Sequence, residues 1–256
     1  MQNTDKISAV ILVKNAESTI GECLLALSVF NEVVLLDNGS TDKTVNIAQT
    51  FSNVKIFHEP KFCGFGKMKN LACSHATNDY ILSIDSDEVL LPETIKKINS
   101  LELHENTLVA LSRLNYYGNR CMKCCGWYPD FVWRIFNRKH TKFNENIVHE
   151  GIIVASNDEK LYIRDSMKHY TNSNLESLIA KMNRYSTLSA QEKLAKGQKS
   201  SVLGASLKFF FAFNKDYFFR KGILYGYKGF ALSFVNACYV FNKYMKLYEL
   251  NKTTRK

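Results

Sequence analysis

The chain has 256 residues, of which 46% are hydrophobic and 23% are charged. This composition is that of a globular protein and excludes a disordered chain, and the length suffices for one sizeable core plus an appendage. The longest charge-free stretch, residues 229–242, is too short to span a bilayer. No secretory signal precedes the first apolar run, so the seven cysteines are expected to be reduced thiols.

The net charge of +10 is concentrated at the carboxyl end of the chain. Residues 208–256 contain ten Lys or Arg against two acids, Asp216 and Glu249, and they hold 15 of the 32 aromatic residues. A basic and aromatic segment suits an anionic surface, which is either a membrane or a nucleic acid. The aromatic residues between Lys208 and Lys221 favour in-plane contact with anionic lipid, although an amphipathic stripe is more often core or an oligomer contact.

The first hundred residues alternate between strand and helix patterns. A continuous apolar run at residues 7–13 is typical of a strand buried on both faces. Further strands are expected at residues 33–36, 54–57 and 80–84, and helices at residues 18–27, 44–51 and 67–76. This alternation predicts an α/β fold with a parallel sheet and crossover helices, whose ligands bind beyond the carboxyl ends of the strands.

The pattern is less regular after residue 109. Strands are predicted at residues 108–117, 131–136 and 160–163, and a helix at residues 175–195. Residues 205–250 are expected to be helical, with a break near residues 222–229. The CMKCC cluster at residues 121–125 has no second cysteine pair at zinc-binding spacing, so neither structural zinc nor a redox role is expected there.

Acidic residues follow two of the predicted strands. The run YILSIDSDE ends in Asp85, Asp87 and Glu88, and Asp37 ends the second strand. Clustered carboxylates repel one another, which favours a bound Mg²⁺ or Mn²⁺ shared with a phosphate-bearing substrate. The alternative is a strand end followed by an acidic helix cap, because Pro92 can open a helix.

The loop DNGSTDKT has a second explanation in turn chemistry. Gly39 permits a tight turn, and Ser40, Thr41 and Asp42 can cap a helix. Asp37 is harder to explain in that way. An acid at the carboxyl end of a strand in this fold commonly accepts hydrogen bonds from a nucleoside.

The order of ISAVILVKNAE, VVLLDNGSTDKT, GFGKMKN and YILSIDSDE resembles the nucleotide-diphosphosugar domain of family 2 glycosyltransferases, which have the GT-A fold. The later segments GWYPDFVWRIFNR, NIVHEG, MKHYTNSNLESLIAKMNRYSTLSA and FFRKGILYGYKGF resemble the bacterial branch that includes lipopolysaccharide-core β-1,4-glucosyltransferases. The resemblance implies a Rossmann-like, mostly parallel sheet with flanking helices. It places a GT-A domain at residues 1–200, with a nucleotide half to about residue 110 and an acceptor half at 111–200, before a helical extension at 201–256.

The same resemblance assigns donor and metal positions. Asp37 matches the uracil-binding acid, and Lys69 matches a basic position near the nucleotide. Asp85 and Asp87 match the DxD motif, whose second acid is the usual metal ligand and whose first contacts the ribose or a metal-bound water. His169 completes a site for Mn²⁺ or Mg²⁺, with a packed core histidine as the alternative. The remaining nucleotide-sugar positions are Val13, Asn15, Glu17 and Ser86; Glu17 stands one residue later than the family's usual Glu, where this chain has Ala16.

The resemblance also implies a catalytic base. Glu150, in NIVHEG, occupies the place of the base that removes the acceptor hydroxyl proton, and the alternative is a surface glutamate on a loop. His149 beside it would position the acceptor or cap the loop. Because sugar rings stack well on aromatic faces, Trp127, Tyr128 and Asp130 are expected to form an acceptor wall, with ordinary packing as the alternative for the aromatic residues. Arg134 would hold a diphosphate or an acceptor anion.

The resulting hypothesis is an inverting, metal-dependent transfer of a hexose, in the first instance glucose, from a UDP-sugar to a lipopolysaccharide or lipo-oligosaccharide core. The enzyme would be cytoplasmic and peripheral on the inner face of the cytoplasmic membrane, near a glycolipid acceptor, and it could form oligomers. A nucleotidyltransferase is the rival enzyme, but VKNAEST after the first strand lacks its glycine-rich loop. A nucleic-acid-binding module is disfavoured by the clustered acids, and an inactive scaffold is the third alternative.

Overall fold

The computed structural model of the chain describes residues 2–145, 151–172 and 174–253. The chain divides into two compact units. Unit 1 contains Met1–Leu114 and Asp130–His169, and unit 2 contains Asn115–Pro129 and Tyr170–Lys256. Each unit has its own hydrophobic core.

The first part of unit 1 alternates strand and helix, as the sequence predicts. Its elements are α1 (Asn3–Lys6), β1 (Ile7–Val13), α2 (Ile20–Ala26), β2 (Glu32–Asp37), α3 (Thr44–Ala48), β3 (Val54–His58), α4 (Phe65–Ser74) and β4 (Tyr80–Ser83). The four strands are parallel and lie in the order β3-β2-β1-β4. The predicted parallel sheet with crossover helices is therefore confirmed.

The second part of unit 1 adds antiparallel strands. The elements that follow in the chain are β5 (Glu88–Leu90), α5 (Pro92–Asn99), β6 (Thr107–Tyr117), β7 (Arg120–Cys121), β8 (Phe131–Asn137) and β9 (Glu159–Asn172). Of these, β7 and the last residues of β6 and β9 belong to unit 2. Strand β8 runs antiparallel to both β4 and β6, and β5 runs antiparallel to β9. The full order is β3-β2-β1-β4-β8-β6-β9-β5, so the sheet is mixed, and its antiparallel half goes beyond the mostly parallel sheet that the sequence indicates.

The core of unit 1 lies on both faces of its parallel strands. Ile7, Ala9 and Ile11 of β1 pack with α2 on one face, whereas Val10 packs with α4 on the other. Because successive side chains of a strand point to opposite faces, a strand covered by helices on both sides needs apolar residues at every position. This accounts for the uninterrupted apolar run of β1.

Unit 2 is mainly helical. Its elements are α6 (Leu175–Ala195), α7 (Val202–Asn214), a π-helical turn (Lys215–Phe219), a 3₁₀ turn (Gly222–Tyr225) and α8 (Gly226–Thr253). Met122, Cys124 and Cys125 form a core with Leu178 of α6 and Leu232 of α8. No disulfide is formed in the part of the chain that the structure describes. Of the helices in that same part, none has the length and apolar character needed to cross a bilayer.

Candidate active site

The carboxyl ends of β1, β2 and β4 meet at one edge of the sheet in unit 1. The register aligns Val13 with Asp37, and the Ile84 amide donates to the Val10 carbonyl as β4 ends. Asp85 follows directly. Parallel strand order therefore brings the two predicted acidic positions to the same edge, where ligands of such sheets bind.

Asp85 is half-buried and joins a network with the buried Lys69, Arg134 and Glu88. Its carboxylate accepts hydrogen bonds from Lys69 Nζ at 3.0 Å and from Arg134 Nη2 at 2.6 Å. The same Arg134 nitrogen donates to Glu88 Oε1 at 2.5 Å, and the Asp85 amide donates to Glu88 Oε2 at 3.1 Å. Helix α4 supplies the lysine, β8 supplies the arginine and β5 supplies the glutamate. Three separate elements therefore fix Asp85.

Burial and charge act in opposite directions on these groups. Burial raises the pKa of Asp85, but the neighbouring Arg134 and Lys69 charges outweigh burial and hold that pKa well below its usual range. For Glu88, burial prevails over the attraction of Arg134, and its pKa is raised. Within the described residues, Arg134 Nε is buried without a hydrogen-bond partner. One N–H group of this network therefore lacks the hydrogen bond that a fully satisfied ion pair would have.

A cavity of about 340 Å³ adjoins this network. Lys69, Asp85, Arg113 and Arg134 supply its polar groups, and its further lining residues are Phe131, Val132, Trp133, Phe143, Gly151 and Ile152. A space of this size, lined by both charged groups and aromatic rings, is within the range of small-molecule sites. The predicted base Glu150 and its neighbour His149 lie outside the described residues.

Helix α4 anchors the wall of this cavity. Asn70 donates to the Phe143 carbonyl at 3.0 Å and accepts from the Phe143 amide at 2.9 Å. Gly66, one turn earlier, lies so close to the Asn144 backbone that an added Cβ would be 1.9 Å from its carbonyl oxygen. Phe143 in turn forms a bridge with Ile152. The backbone of Phe143 and Asn144 is therefore held against α4, and Ile152 is paired with Phe143.

Asp87 and His169 are the residues that fit a divalent metal. Asp87 Oδ2 lies 3.5 Å from His169 Nε2, because β5 pairs with β9 in a register that aligns Glu88 with His169. No group of three or more His, Cys, Asp or Glu side chains suited to a metal occurs in the described ranges. One carboxylate and one imidazole, with diphosphate oxygens and water as further ligands, form a donor set that suits Mn²⁺.

The loop after β2 is held by its own side chains. Asp37 accepts from the Ser40 amide at 3.1 Å and the Gly39 amide at 3.2 Å, and Asn15 Oδ1 accepts from the Thr41 amide at 2.8 Å. Glu17 accepts from the Lys43 amide at 3.0 Å at the start of α3. Turn and cap chemistry therefore explains more of Asp37, Asn15 and Glu17 than the sequence suggests.

Val13 and Ser86, which are also expected to contact the sugar donor, differ in burial. The Val13 side chain is buried in the core, so only its backbone reaches the strand edge, where its carbonyl accepts from the Asn38 amide. Ser86 is half-buried in the turn between the two DxD acids.

The predicted acceptor residues are divided between the units. Trp127 and Tyr128 belong to unit 2, where the Trp127 amide donates to the Cys124 carbonyl and Lys123 Nζ lies 4.7 Å from the centre of the Tyr128 ring. Asp130 belongs to unit 1 and accepts from Arg113 Nε at 2.8 Å. Arg134 is 4% exposed, and its partners are Asp85 and Glu88 rather than the free anion that the sequence suggests.

Sequence reasoning missed the roles of Glu88 and Arg113. Glu88 has no exposed surface, and Arg113 Nη1 approaches its carboxylate to 3.7 Å. The available signal was the apolar pair Val89 and Leu90 after the acids, which marks a short buried strand. A strand of three residues is too short to show periodicity.

Comparison with known proteins agrees with this geometry. The model of Glycosyl transferase family 2 matches residues 8–171. The uncharacterized glycosyltransferase RT0209 of Rickettsia typhi is 28% identical over 98% of this chain and 89% of its own length. The lipopolysaccharide core biosynthesis glycosyltransferase LpsC of Rhizobium meliloti is 26% identical over 95% of this chain and 92% of its own length.

The fold has a counterpart among solved structures. The crystal structure of S. aureus TarS in complex with UDP superposes with a TM-score of 0.50 at 16% identity, covering 97% of this chain and 92% of that one. At this identity the likeness shows a shared GT-A fold and nothing finer. The family match spans more than half of the chain, including both DxD acids, Lys69, Arg134 and His169. The chain therefore belongs to glycosyl transferase family 2 and is a glycosyltransferase.

Proposed function

We propose that this enzyme transfers a hexose from a UDP-hexose donor, in the first instance UDP-glucose, to a lipopolysaccharide or lipo-oligosaccharide core. The transfer inverts the configuration at the anomeric carbon. The observation that carries the proposal is Asp85, fixed by Lys69 and Arg134 beside a cavity at the carboxyl edge of the sheet. The similarity to LpsC supports the core acceptor, and UDP in the TarS structure supports the nucleotide. The β-1,4-glucosyltransferase branch remains our expectation from sequence motifs.

In this proposal the donor nucleotide occupies the strand edge. Asp37 accepts a hydrogen bond from the uracil ring, and Lys69 provides positive charge near the diphosphate. Lys69 is 7% exposed and lies 5.4 Å from the centre of the Phe143 ring, so its position is fixed before the donor binds. Fixed charges of this kind stabilise a developing negative charge without the cost of reorganisation. The further donor contacts in the proposal are Val13, Asn15, Glu17 and Ser86.

Asp87 and His169 would hold Mn²⁺ or Mg²⁺ in this enzyme. A divalent cation supplies positive charge that offsets the negative charge of the departing nucleoside diphosphate. Asp85 already has two cationic partners, so we assign it to the ribose or to a metal-bound water rather than to direct metal ligation.

The transfer itself needs one proton acceptor. The acceptor hydroxyl oxygen forms a bond to the anomeric carbon as the bond from that carbon to the phosphate oxygen breaks, and UDP leaves with the electron pair. Glu150 takes the hydroxyl proton as general base. Gly151, its neighbour in the chain, lines the cavity beside Asp85, which supports this assignment.

The acceptor residues are proposed on narrower grounds. Trp127 and Tyr128 offer aromatic faces suited to sugar rings, and His149 and Asp130 offer hydrogen-bonding groups; these roles rest on the family resemblance. The contacts of Arg134 support a positioning role, because its guanidinium joins Asp85 to Glu88. A direct contact between Arg134 and an anionic acceptor stays a prediction.

The proposal is tested by calorimetric titration of UDP, GDP, CDP and ADP, with and without Mn²⁺, followed by turnover of UDP-glucose with lipo-oligosaccharide. We expect metal-dependent binding of UDP alone, weakened at least tenfold in Asp87→Ala and unchanged in Glu93→Ala, an exposed acid on α5. Glu150→Gln should bind UDP normally but lose about 10²–10⁴-fold in kcat. Glu145→Gln, an exposed neighbour, is its matched control. Folded protein that binds no nucleotide would overturn the proposal.

A further inference from the structure

Unit 2 displays an unusual amount of apolar surface between the start of α7 and the start of α8. Leu203 is 70% exposed, Phe211 71% and Phe219 83%. We call this the apolar surface, and its members are Leu203, Leu207, Phe210, Phe211, Phe218, Phe219, Ile223, Leu224 and Tyr227. Single exposed apolar residues need no explanation, but a concentration of them marks an interaction site.

Helix α7 exposes a stripe of large apolar side chains to solvent. Its exposed stripe consists of Leu203, Leu207, Phe210 and Phe211, which share one face at helical spacing. The opposite face carries Ala205, which is fully buried, and the half-buried Phe209, whose ring packs with Phe234 and Phe241. A helix that served only the core would place all of its large apolar side chains inward. Helix α7 instead leaves a second set of large apolar side chains exposed.

The apolar surface is continuous from α7 to the turns that follow it. Consecutive aromatic rings, with centroids 5.1 to 6.2 Å apart, connect in the order Phe210, Phe209, Phe234, Phe230, Tyr217 and Phe218. Phe210 of the helix and Phe218 of the π-helical turn thus belong to one ring network.

A tightly built scaffold holds the turns that display these side chains. Asp216 is buried and accepts from Arg220 Nη1 at 3.1 Å and from Asn236 Nδ2 at 2.8 Å. The backbones of Gly222 and Gly229 approach so closely that a Cβ on Gly229 would lie 1.9 Å from the Gly222 carbonyl oxygen. These contacts hold the backbone of the turns that carry Phe218, Phe219 and Leu224.

Positive charge surrounds the apolar surface. Lys208, Lys215 and Lys221 are exposed within the same segment. Between residues 196 and 248 the sequence contains a single acid, Asp216, and that acid is buried against Arg220. The solvent-facing part of this segment therefore combines apolar side chains with cations and carries no exposed carboxylate.

We infer that the apolar surface of unit 2 binds the interface of an anionic lipid bilayer. Phe and Leu side chains enter the boundary between headgroups and acyl chains, and the lysines pair with anionic headgroups. A second copy of the chain suits the surface less well, because a symmetric dimer would bring the same lysines together. A nucleic acid would complement the charge but not the aliphatic Leu203, Leu207, Ile223 and Leu224.

The inference does not rest on the proposed function, since membrane binding is measured without sugar transfer. The experiment is co-sedimentation of the full chain with vesicles of phosphatidylethanolamine and phosphatidylglycerol, and with vesicles of phosphatidylcholine alone. We expect binding to the anionic vesicles to exceed binding to the neutral ones by about tenfold or more, and to weaken as salt is raised.

Two variants separate the apolar and electrostatic contributions. Phe211→Ser/Phe219→Ser should lower binding to both vesicle types, whereas Lys215→Glu/Lys221→Glu should lower binding to anionic vesicles alone, each by about tenfold or more. Matched controls in unit 1 are Leu25→Ser, whose side chain is 66% exposed, and the exposed Lys97→Glu; both should bind as the parent does. Circular dichroism and thermal unfolding establish that each variant is folded.

Three results would overturn the inference. The first is absence of binding to anionic vesicles by the folded parent chain. The second is vesicle binding that is equal in the surface variants and in the controls. The third is a concentration-dependent dimer, measured by sedimentation velocity, that is abolished by Phe211→Ser/Phe219→Ser while vesicle binding is unchanged; the surface would then join two copies of the chain. If the first result is accompanied by salt-dependent binding of RNA or DNA, the surface is assigned to a nucleic acid.

Discussion

The two units depart from the usual distribution of side chains in opposite ways. Unit 1 buries charge, with Glu88 and Arg134 buried and joined to the half-buried Asp85 at the carboxyl edge of its sheet. Unit 2 exposes apolar rings, and Phe219 is the most exposed large hydrophobic residue among the described ones. A buried charge costs free energy unless it is paired, and an exposed phenylalanine forgoes the stabilisation that burial would give. In both units the sequence gives up stability where a ligand or surface is expected to bind.

Unit 1 also contains a buried acid of a different kind. Glu32, at the start of β2, accepts hydrogen bonds from Lys55 Nζ, from the Thr77 amide and hydroxyl, and from the Ser8 hydroxyl. Both of its oxygens have hydrogen-bond partners, and Glu32 does not line the cavity beside Asp85. Burial alone therefore does not identify a functional acid. The distinguishing features at Asp85 are the adjoining cavity and the unpartnered Arg134 Nε.

The largest effect is expected from removing the central cation of unit 1. Arg134→Met leaves the buried Glu88 without its nearest positive charge, and we expect a loss of about 3–5 kcal/mol in the free energy of unfolding. Urea unfolding of the purified chain measures this. Arg164→Met, an exposed arginine on β9, should change stability by less than about 0.5 kcal/mol.

A double variant sharpens this prediction. In Arg134→Met/Glu88→Gln both charges are absent, so the loss should be smaller than the sum of the two single losses. Equal and additive losses would mean that the pair is not coupled and that Arg134 acts only through packing.

A smaller effect is expected at the structural acid. The pKa of Glu32 is lowered from 4.5 to about 2, because hydrogen bonds from Lys55, Ser8 and Thr77 outweigh the effect of burial, which raises it. A lowered folded-state pKa stabilises the fold above pH 4.5 and loses that contribution as the pH falls toward 2. Glu32→Gln should therefore cost roughly 3 kcal/mol near neutral pH and progressively less below pH 4.5.

The measurement is urea unfolding of the parent and variant across this pH range. Glu102→Gln, at an exposed acid, provides the control because its stability difference from the parent should stay near zero at every pH. A constant penalty for Glu32→Gln at all pH values would show that the lost hydrogen bonds, not the lowered pKa, carry the effect.

The smallest effect is expected from truncating an exposed ring of unit 2. Phe219→Ala should change the free energy of unfolding by less than about 0.5 kcal/mol, since its ring is exposed. Leu232→Ala, in the buried core of the same unit, should cost about 2–5 kcal/mol. Thermal unfolding of both variants makes the comparison. A large loss at Phe219 would mean that the ring stabilises the fold and would remove it from the apolar surface.

Local patterns were sufficient for much of the fold. The apolar run of β1 and the helix Leu175–Ala195 have the predicted bounds. Helix α5 begins at Pro92, as the cap signal indicates. These elements carry their own periodicity or boundary residues, so a single sequence reveals them.

The candidate site was harder to predict because its contacts are distant in sequence. Arg134 is 49 residues from Asp85 and 46 from Glu88, and no local pattern links them. The order of motifs brought Asp85, Asp87 and Lys69 into one hypothesis, but it gave Arg134 an acceptor rather than a carboxylate partner. Only the placement of β8 beside β4 reveals that partner.

Gly66 extends the functional site to a residue that has no functional group. Its missing side chain lets the Asn144 carbonyl lie against α4, beside the Phe143 ring that faces Lys69. A single added methyl group would displace that backbone and with it one wall of the cavity. Substitution at residue 66 would therefore resemble an active-site mutation in an activity screen, while every charged side chain of the site remained intact.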